Sequence, residues 1–270
     1  MKTLVLANQK GGVGKSAVAT LLAQHLAREG RRVLAIDLDH QNNFGTTLAL
    51  SKRPALAAIT SDRLLTAPGA RVAAEPFVLV QGSDALMTLE RQPAQHTPFA
   101  RALRDFLQSV QSQFDVCVVD TNPNPDIRVI AALASADYLL SPIQLNQEAI
   151  DGVRSLLHHP RVGFHKIKAV LNPKLTLLGL LPTLVEPTPF QRANFIGLIE
   201  RHRSLLIALG DRPGDYARIP KRSAIAEAQA EGLVLWEMKK TAAREAWAEI
   251  EPSIRHIAAM VTADEASRAV

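Results

Sequence analysis

Cysteine is nearly absent from this sequence, and long apolar stretches are absent. The one cysteine, Cys117, excludes a disulfide within the chain; it lies inside the apolar run 116–119, so we interpret it as a core residue. No window of eighteen apolar residues is free of charge, which excludes a transmembrane helix. An apolar segment begins at residue 3, which is not the pattern of a signal peptide. These absences favour a soluble cytoplasmic protein.

Linkers and low-complexity tracts are missing as well. The stretches richest in proline and polar residues, 51–76 and 91–98, are short and lie between segments that have the pattern of strands or helices. With 270 residues, of which 47% are hydrophobic, the chain is long enough for one large domain. We therefore predict a single domain over residues 1–270.

Positive charge is concentrated in one part of the chain. The net charge is +5, but residues 154–222 contain 12 Lys and Arg against 4 Asp and Glu. A basic segment of this kind is what a face that binds a polyanion needs. An ordinary solvated surface explains the same composition, so charge alone leaves both interpretations open.

Apolar runs alternate with helical patterns along most of the chain, which predicts an α/β fold. Repeated β-α units of this kind form a doubly wound, mostly parallel sheet flanked by helices on both faces, and such sheets bind ligands at the carboxyl ends of their strands. The strands are predicted at 3–8, 32–39, 77–81, 115–120, 138–143 and 177–185. The helices are predicted at 16–28, 99–112, 127–135, 146–157, 189–208 and 235–261.

A glycine-rich segment, Lys10 to Ser16, follows the first predicted strand and has the pattern of a phosphate-binding loop. Its glycines let successive backbone N–H groups point at phosphate oxygens, and the following helix adds its N-terminal dipole. Lys15 is suited to bridging the β- and γ-phosphates, and the Ser16 hydroxyl is suited to Mg²⁺. Lys10 is an additional charge at a position where most such loops have none.

Three aspartates, Asp37, Asp39 and Asp120, stand at the ends of predicted strands. A phosphate loop needs an acidic residue at such a position to hold Mg²⁺. Because side chains two residues apart on a strand share a face, Asp37 and Asp39 are both expected to face the phosphates. Capping a helix or turn is the alternative role for any one of them.

Together these motifs resemble the deviant Walker A ATPases of the ParA/MinD group. The resemblance runs in order over almost the whole chain, and the loop motif is highly specific. The matching residues are Asn8-Gln9, Lys10 to Ser16, Asp37-Leu38-Asp39, Gln41, Asp120-Thr121-Asn122-Pro123, Ile219-Pro220-Lys221, Ala226-Glu227-Ala228 and Gly232.

The resemblance implies a P-loop NTPase fold, the cofactors ATP and Mg²⁺, and a role for each matching residue. Lys10 resembles the lysine that reaches the nucleotide of a second subunit, so that ATP is enclosed in a homodimer, and Asp39 resembles the residue that positions the attacking water. With Lys15 these form the catalytic set, while Ser16, Asp37 and Asp120 are implied for the metal. The implied nucleotide-binding residues are Gly11, Gly12, Val13, Gly14, Lys15, Ser16, Ala17, Ile219 and Pro220.

Two segments depart from the family pattern. His40 stands where relatives usually have proline, and Asn122 and Asn124 alter the loop after Asp120. Neither change removes an expected ligand. A histidine beside Asp39 could make hydrolysis depend on pH, and a tolerated loop variant is the alternative.

Features that the sequence lacks indicate to which branch of the ParA/MinD group it is most similar. No helix-turn-helix precedes the first strand, the last residues do not form the basic amphipathic helix with which the MinD branch binds membranes, and one cysteine cannot hold the cluster of the nitrogenase reductase branch. A short ParA protein remains, which implies a nucleoid-associated dimer that binds DNA without sequence preference and hydrolyses ATP when a ParB-type partner stimulates it. The candidate DNA contacts are Arg192, Arg201, Arg203, Arg218, Lys221, Arg222, Lys239, Lys240 and Arg244. The alternatives are an ATPase that positions a protein cargo and a nucleotide-binding module that barely hydrolyses ATP.

Overall fold

A parallel sheet of eight strands forms the centre of the molecule. In the computed structural model, residues 1–146, 149–210, 212 and 214–263 are described. The strands are β1 (Lys2–Leu6), β2 (Val33–Asp37), β3 (Ala55–Leu56), β4 (Phe77–Val80), β5 (Val116–Asp120), β6 (Tyr138–Gln144), β7 (Thr176–Val185) and β8 (Ile219–Pro220). Their order is β3-β4-β2-β5-β1-β6-β7-β8, and neighbouring strands pair in parallel. The carboxyl end of β1 therefore lies at the middle of the sheet edge.

Helices cover both faces of this sheet. One apolar cluster holds α1 (Lys15–Arg28), α2 (Asn43–Leu50), α10 (Ser223–Glu231) and α11 (Thr241–Thr262) against the sheet. The other cluster holds α3 (Ser61–Thr66), α4 (Leu86–Leu89), α5 (His96–Ser109), α6 (Ile127–Ser135), α7 (Ala149–His158), α8 (Phe164–Val170) and α9 (Pro189–His202). Short 3₁₀ turns lie at Pro93–Gln95, Arg203–Leu205 and Leu235–Glu237. Among the described residues, no helix combines the length and hydropathy that a bilayer span requires.

The central strands are continuous apolar runs because both of their faces are covered. In β5, Val116 and Val118 pack into the cluster with α1, whereas Cys117 and Val119 pack into the opposite cluster. Cys117 is fully buried, and this burial raises the pKa of its thiol, so its interpretation as an inert core residue is confirmed.

All six predicted strands are present, and the predicted α/β sheet with helices on both faces is confirmed. The predicted helix at 189–208 ends earlier, at His202, and the one at 235–261 begins only at Thr241, after a 3₁₀ turn. Residues 147 and 148 of the helix predicted at 146–157 lie outside the described residues. Short elements were missed, namely α2, α3, α4, α8, α10, β3 and β8.

Candidate active site

The glycine-rich loop joins β1 to α1 at the carboxyl edge of the sheet. Gly12 and Gly14 have φ angles of 72° and 80°, which a residue with a side chain adopts only with strain. The carbonyl oxygen of Gly12 accepts a hydrogen bond from Gln144 Nε2 (3.1 Å), and that of Val13 accepts one from Thr183 Oγ1 (2.7 Å). These bonds turn the two carbonyl oxygens toward β6 and β7. The loop is thus curled and anchored in the form expected of a phosphate cradle.

The side chain of Lys15 reaches back to the backbone of Lys10 at the start of the loop. The Lys10 N–H donates to Asn8 Oδ1 (2.9 Å), and Lys15 Nζ donates to the Lys10 carbonyl oxygen (3.3 Å). Lys15 is only 7% exposed, and its burial lowers the pKa of its ammonium, an effect that Asp120 and Asp39 oppose. The ammonium is therefore held inside the loop, where a phosphate oxygen would be a stronger partner than a carbonyl oxygen.

Ser16 and Asp120 meet behind the loop. The Ser16 hydroxyl donates to Asp120 Oδ2 (2.5 Å), while the buried Asp120 Oδ1 has no hydrogen-bond partner among the described residues. Burial raises the pKa of Asp120 to about 7, although the Ser16 bond and the Lys15 charge lower it. An unpartnered buried carboxylate oxygen beside a hydroxyl is an oxygen donor set suited to Mg²⁺. The residues present therefore fit the predicted metal.

Asp37 is a neighbour of Asp120 in the sheet, where the two are register partners on β2 and β5. Its oxygens accept the backbone N–H groups of Asp39 (2.9 Å) and Gly45 (2.8 Å), so the side chain caps the start of α2. Burial, reinforced by the Asp120 charge, raises the pKa of Asp37 well above its usual range. We expect Asp37 and Asp39 both to face the phosphates. Asp39 lines the cavity over the loop, whereas Asp37, like Asp120 beside it, is buried and does not line that cavity.

A cavity of about 1050 Å³ opens over the loop. Residues 11–18 form its floor, Asp39 lies on one wall, and Ile219 and Pro220 lie on another. Its size is that of a nucleotide rather than of a phosphate ion. Lys10, Asp37 and Asp120 are not among the lining residues. The structure thus brings together, around one cavity, the loop, Asp39 and the two other implied nucleotide-binding residues, Ile219 and Pro220.

Comparison with known proteins agrees with this geometry. The sequence profile of a family described as an AAA domain matches residues 1–177. Protein IncC of Escherichia coli is 36% identical over 93% of this chain and 67% of its own length. The chromosome-partitioning ATPase Soj of Thermus thermophilus is 34% identical over 69% of this chain and 70% of its own length.

The chain belongs to the ParA family of partition ATPases. Among solved structures it is similar to McdA of Cyanothece, whose apo form superimposes with a TM-score of 0.73 over 95% of this chain and 98% of McdA at 22% identity. The complex of a McdA variant with ATP gives a TM-score of 0.71 over 94% and 96% of the two chains, also at 22% identity. These structures share the fold of the ParA-family chain.

Several residues that shape this ParA-family site carry no motif and were not predicted. Thr183 Oγ1 lies between two carbonyl oxygens, those of Val13 (2.7 Å) and Ile143 (3.0 Å), and thereby fixes the loop to β6 and β7. Gln144 holds the loop from another side, as does Asn8, which was already part of the matching Asn8-Gln9 pair. Their position in the sequence could have indicated them, because Thr183 and Gln144 are polar residues near the carboxyl ends of mostly apolar strands.

Of the nine predicted DNA contacts, three already have acidic partners. Lys221, Arg222 and Lys240 pair with Glu186, Glu249 and Glu227. Lys221 and Arg222 also line the nucleotide cavity. The other six make no ion pair with any residue in the described part of the chain, namely Arg192, Arg201, Arg203, Arg218, Lys239 and Arg244.

Proposed function

We propose that this chain is a Mg²⁺-dependent ATPase that partitions DNA. The observation that carries the proposal is the buried Asp120 oxygen beside Ser16 at the start of α1, which has no hydrogen-bond partner within the described ranges. A carboxylate held there suits a hard cation, and a nucleoside triphosphate is the ligand that needs a phosphate loop and such a cation together. The neighbouring cavity is large enough for the base and ribose as well. Homology to named partition ATPases supports the same function.

Ser16 and Asp120 are the residues that would hold Mg²⁺, with Asp37 buried behind them. When bound, the ion supplies positive charge to the β- and γ-phosphate oxygens. Lys15 adds charge from inside the loop, and the loop N–H groups and the α1 dipole bind the remaining oxygens. Asp39, on the cavity wall, orients the water that attacks the γ-phosphate. Most of the acceleration then comes from positioning and charge rather than from proton abstraction.

Lys10 acts on the nucleotide of a second subunit in this proposal. Supporting this role, it lies at the loop but does not line the cavity of its own chain. A cation supplied in trans stabilises charge on the transferred phosphoryl group, as an arginine finger does. ATP binding would therefore close a homodimer with the nucleotide enclosed.

The ATP-bound dimer would bind nucleoid DNA through phosphate contacts, and a ParB-type centromere-binding partner would stimulate hydrolysis and release. The six predicted contacts without an ion pair in the described part of the chain support the DNA step. A protein cargo in place of a DNA cargo is the alternative, and it would use the same cycle.

The test combines phosphate release with DNA binding. We expect slow, Mg²⁺-dependent release from ATP, and retention of random duplex DNA with ATP but not with ADP or without nucleotide. Excess EDTA is the control that should abolish release. Tight ATP binding without any release, with DNA present, would show a nucleotide-binding module instead of an ATPase.

A further inference from the structure

Arg128 is a buried cation close to the candidate active site. It lies in the first turn of α6, the helix that follows the Asp120 loop, and is only 4% exposed. A buried guanidinium needs partners for its N–H groups, since leaving them unpaired is costly. Two of its nitrogens, Nε and Nη2, donate to Asp126 Oδ2 at 3.0 and 2.5 Å. The third, Nη1, lies 3.3 Å from His40 Nδ1.

Asp126 ties Arg128 to the loop that follows Asp120. Its Oδ1 accepts the Arg128 backbone N–H (3.0 Å), and its Oδ2 also accepts a hydrogen bond from Asn122 Nδ2 (2.9 Å). The position of the Arg128 guanidinium is therefore set by the same loop that carries Asp120 at its start. Any movement of this loop on ligand binding would be transmitted to Nη1.

His40 connects the same guanidinium to Asp39. Its Nδ1 lies 3.2 Å from Asp39 Oδ1 and 3.3 Å from Arg128 Nη1. A guanidinium only donates and a carboxylate only accepts, so one ring nitrogen cannot serve both. In the tautomer with hydrogen on Nδ1, His40 donates to Asp39, while its Nε2 accepts from Gln41 Nε2 (2.9 Å). In the other tautomer Nδ1 accepts from Arg128, and the bond to Asp39 is lost. Nε2 is then the donor, so the Gln41 amide must turn its oxygen toward Nε2.

We propose that His40 and Arg128 are positioning residues that determine whether Asp39 is free to orient the attacking water. While His40 donates to Asp39, one carboxylate oxygen is occupied by His40 and by the Gln41 N–H (3.1 Å). When Arg128 takes over Nδ1, Asp39 Oδ1 keeps the Gln41 N–H but gains a free acceptor position for water. The inference rests on the proposed ATPase function, and it assigns a role to the two departures from the family pattern, His40 and the Asn122 loop.

The test is a double-mutant cycle on the hydrolysis rate, made of wild type, Arg128→Lys, His40→Ala and the double variant. Lysine keeps the charge for Asp126 but lacks the third nitrogen, so His40 stays on Asp39. We expect kcat of Arg128→Lys to fall about tenfold with KM for ATP within about twofold, because only a transition-state interaction is lost. In His40→Ala the Asp39 oxygen loses its histidine donor, so kcat should rise above that of wild type. Adding Arg128→Lys to His40→Ala should then change kcat by less than about twofold.

Arg161→Lys is the matched control. Arg161 pairs with Glu90, which caps the same end of α6 by accepting the Ile127 N–H, whereas the contact with His40 belongs to Arg128. The kcat of Arg161→Lys should therefore equal that of wild type. A loss of equal size from Arg128→Lys in both backgrounds would overturn the inference, since the effect would then run through Asp126 alone. No Mg²⁺-dependent hydrolysis by wild type would overturn the proposed function and this inference together.

Discussion

The buried carboxyl group of Asp120 destabilises the fold when it is ionised, yet the proposed function needs it ionised to hold Mg²⁺. Burial raises its pKa from 3.8 to about 7, so the folded chain holds this proton more tightly than the unfolded chain. The unfolded state then loses its proton near pH 4 and the folded state only near pH 7. The stability of the metal-free protein therefore falls as pH rises through this window. A bound cation would offset the free-energy cost of burying the ionised carboxylate.

Asp120→Asn should stabilise the metal-free protein at neutral pH, because the amide carries no charge to bury. We expect the Tm at pH 7.5 to rise by about 5 °C, corresponding to about 2 kcal/mol, and the decline between about pH 4 and 7 to flatten. The measurement is thermal unfolding across pH in EDTA. Asp105→Asn, an exposed acid on α5, should leave the curve unchanged. An unaltered pH slope in Asp120→Asn would show that Asp120 is not the group that titrates.

Lys10→Ala should separate nucleotide binding from dimerisation. Because Lys10 does not line its own cavity, ATP affinity should change by less than about threefold, whereas ATP-dependent dimers and hydrolysis should be lost. Light scattering with ATP and a nucleotide titration measure the two effects. Lys15→Ala, which removes charge from inside the loop, should instead abolish ATP binding. Normal ATP dimers of Lys10→Ala would contradict the role in trans.

At the scale of elements, α2 explains why sequence reasoning missed short helices. Its N-cap residue, Asn42, has a φ of 51° and makes no side-chain capping hydrogen bond, and Gly45 in its first turn is a poor helix former. Its first turn is instead capped by Asp37, at the end of β2. β8 likewise consists of two residues held by pairing with β7. Such contacts are tertiary, whereas α1 and β5 are predictable because their own periodicity is sufficient.

Thr183→Val should show that β7 supports the phosphate loop. The change keeps the shape but removes the single O–H donor that the carbonyl oxygens of Val13 and Ile143 share, a loss of about 1–3 kcal/mol. We expect a lower Tm and, because the Val13 carbonyl is freed, ATP affinity weakened about fivefold. Thr176→Val, at the exposed start of the same strand, is the control for β propensity. Unchanged ATP affinity in Thr183→Val would mean that the loop holds its shape without β7.

For the whole molecule, sequence reasoning places the candidate site at the sheet edge but does not show which charges already have partners. The loop and Asp120 are local motifs at strand ends, and parallel topology brings them together. The pairing of Lys221 with Glu186 and of Arg222 with Glu249 joins residues 35 and 27 positions apart, and no local pattern indicates it. The basic segment therefore offers fewer free cations than its composition suggests.

This difference predicts which substitutions weaken DNA binding. A free cation that neutralises a phosphate releases counterions and contributes about 0.9 to the slope of log K against log salt, whereas one already paired with glutamate contributes less. Arg201→Ala and Arg203→Ala should each lower the slope by about 0.9 with ATP bound, and Lys240→Ala, which leaves Glu227 unpaired, by less than about half of that. Fluorescence anisotropy on random duplex DNA at several salt concentrations measures the slopes. Equal slopes for all three variants and wild type would place the DNA face elsewhere on the dimer, because these side chains would then contact no phosphate.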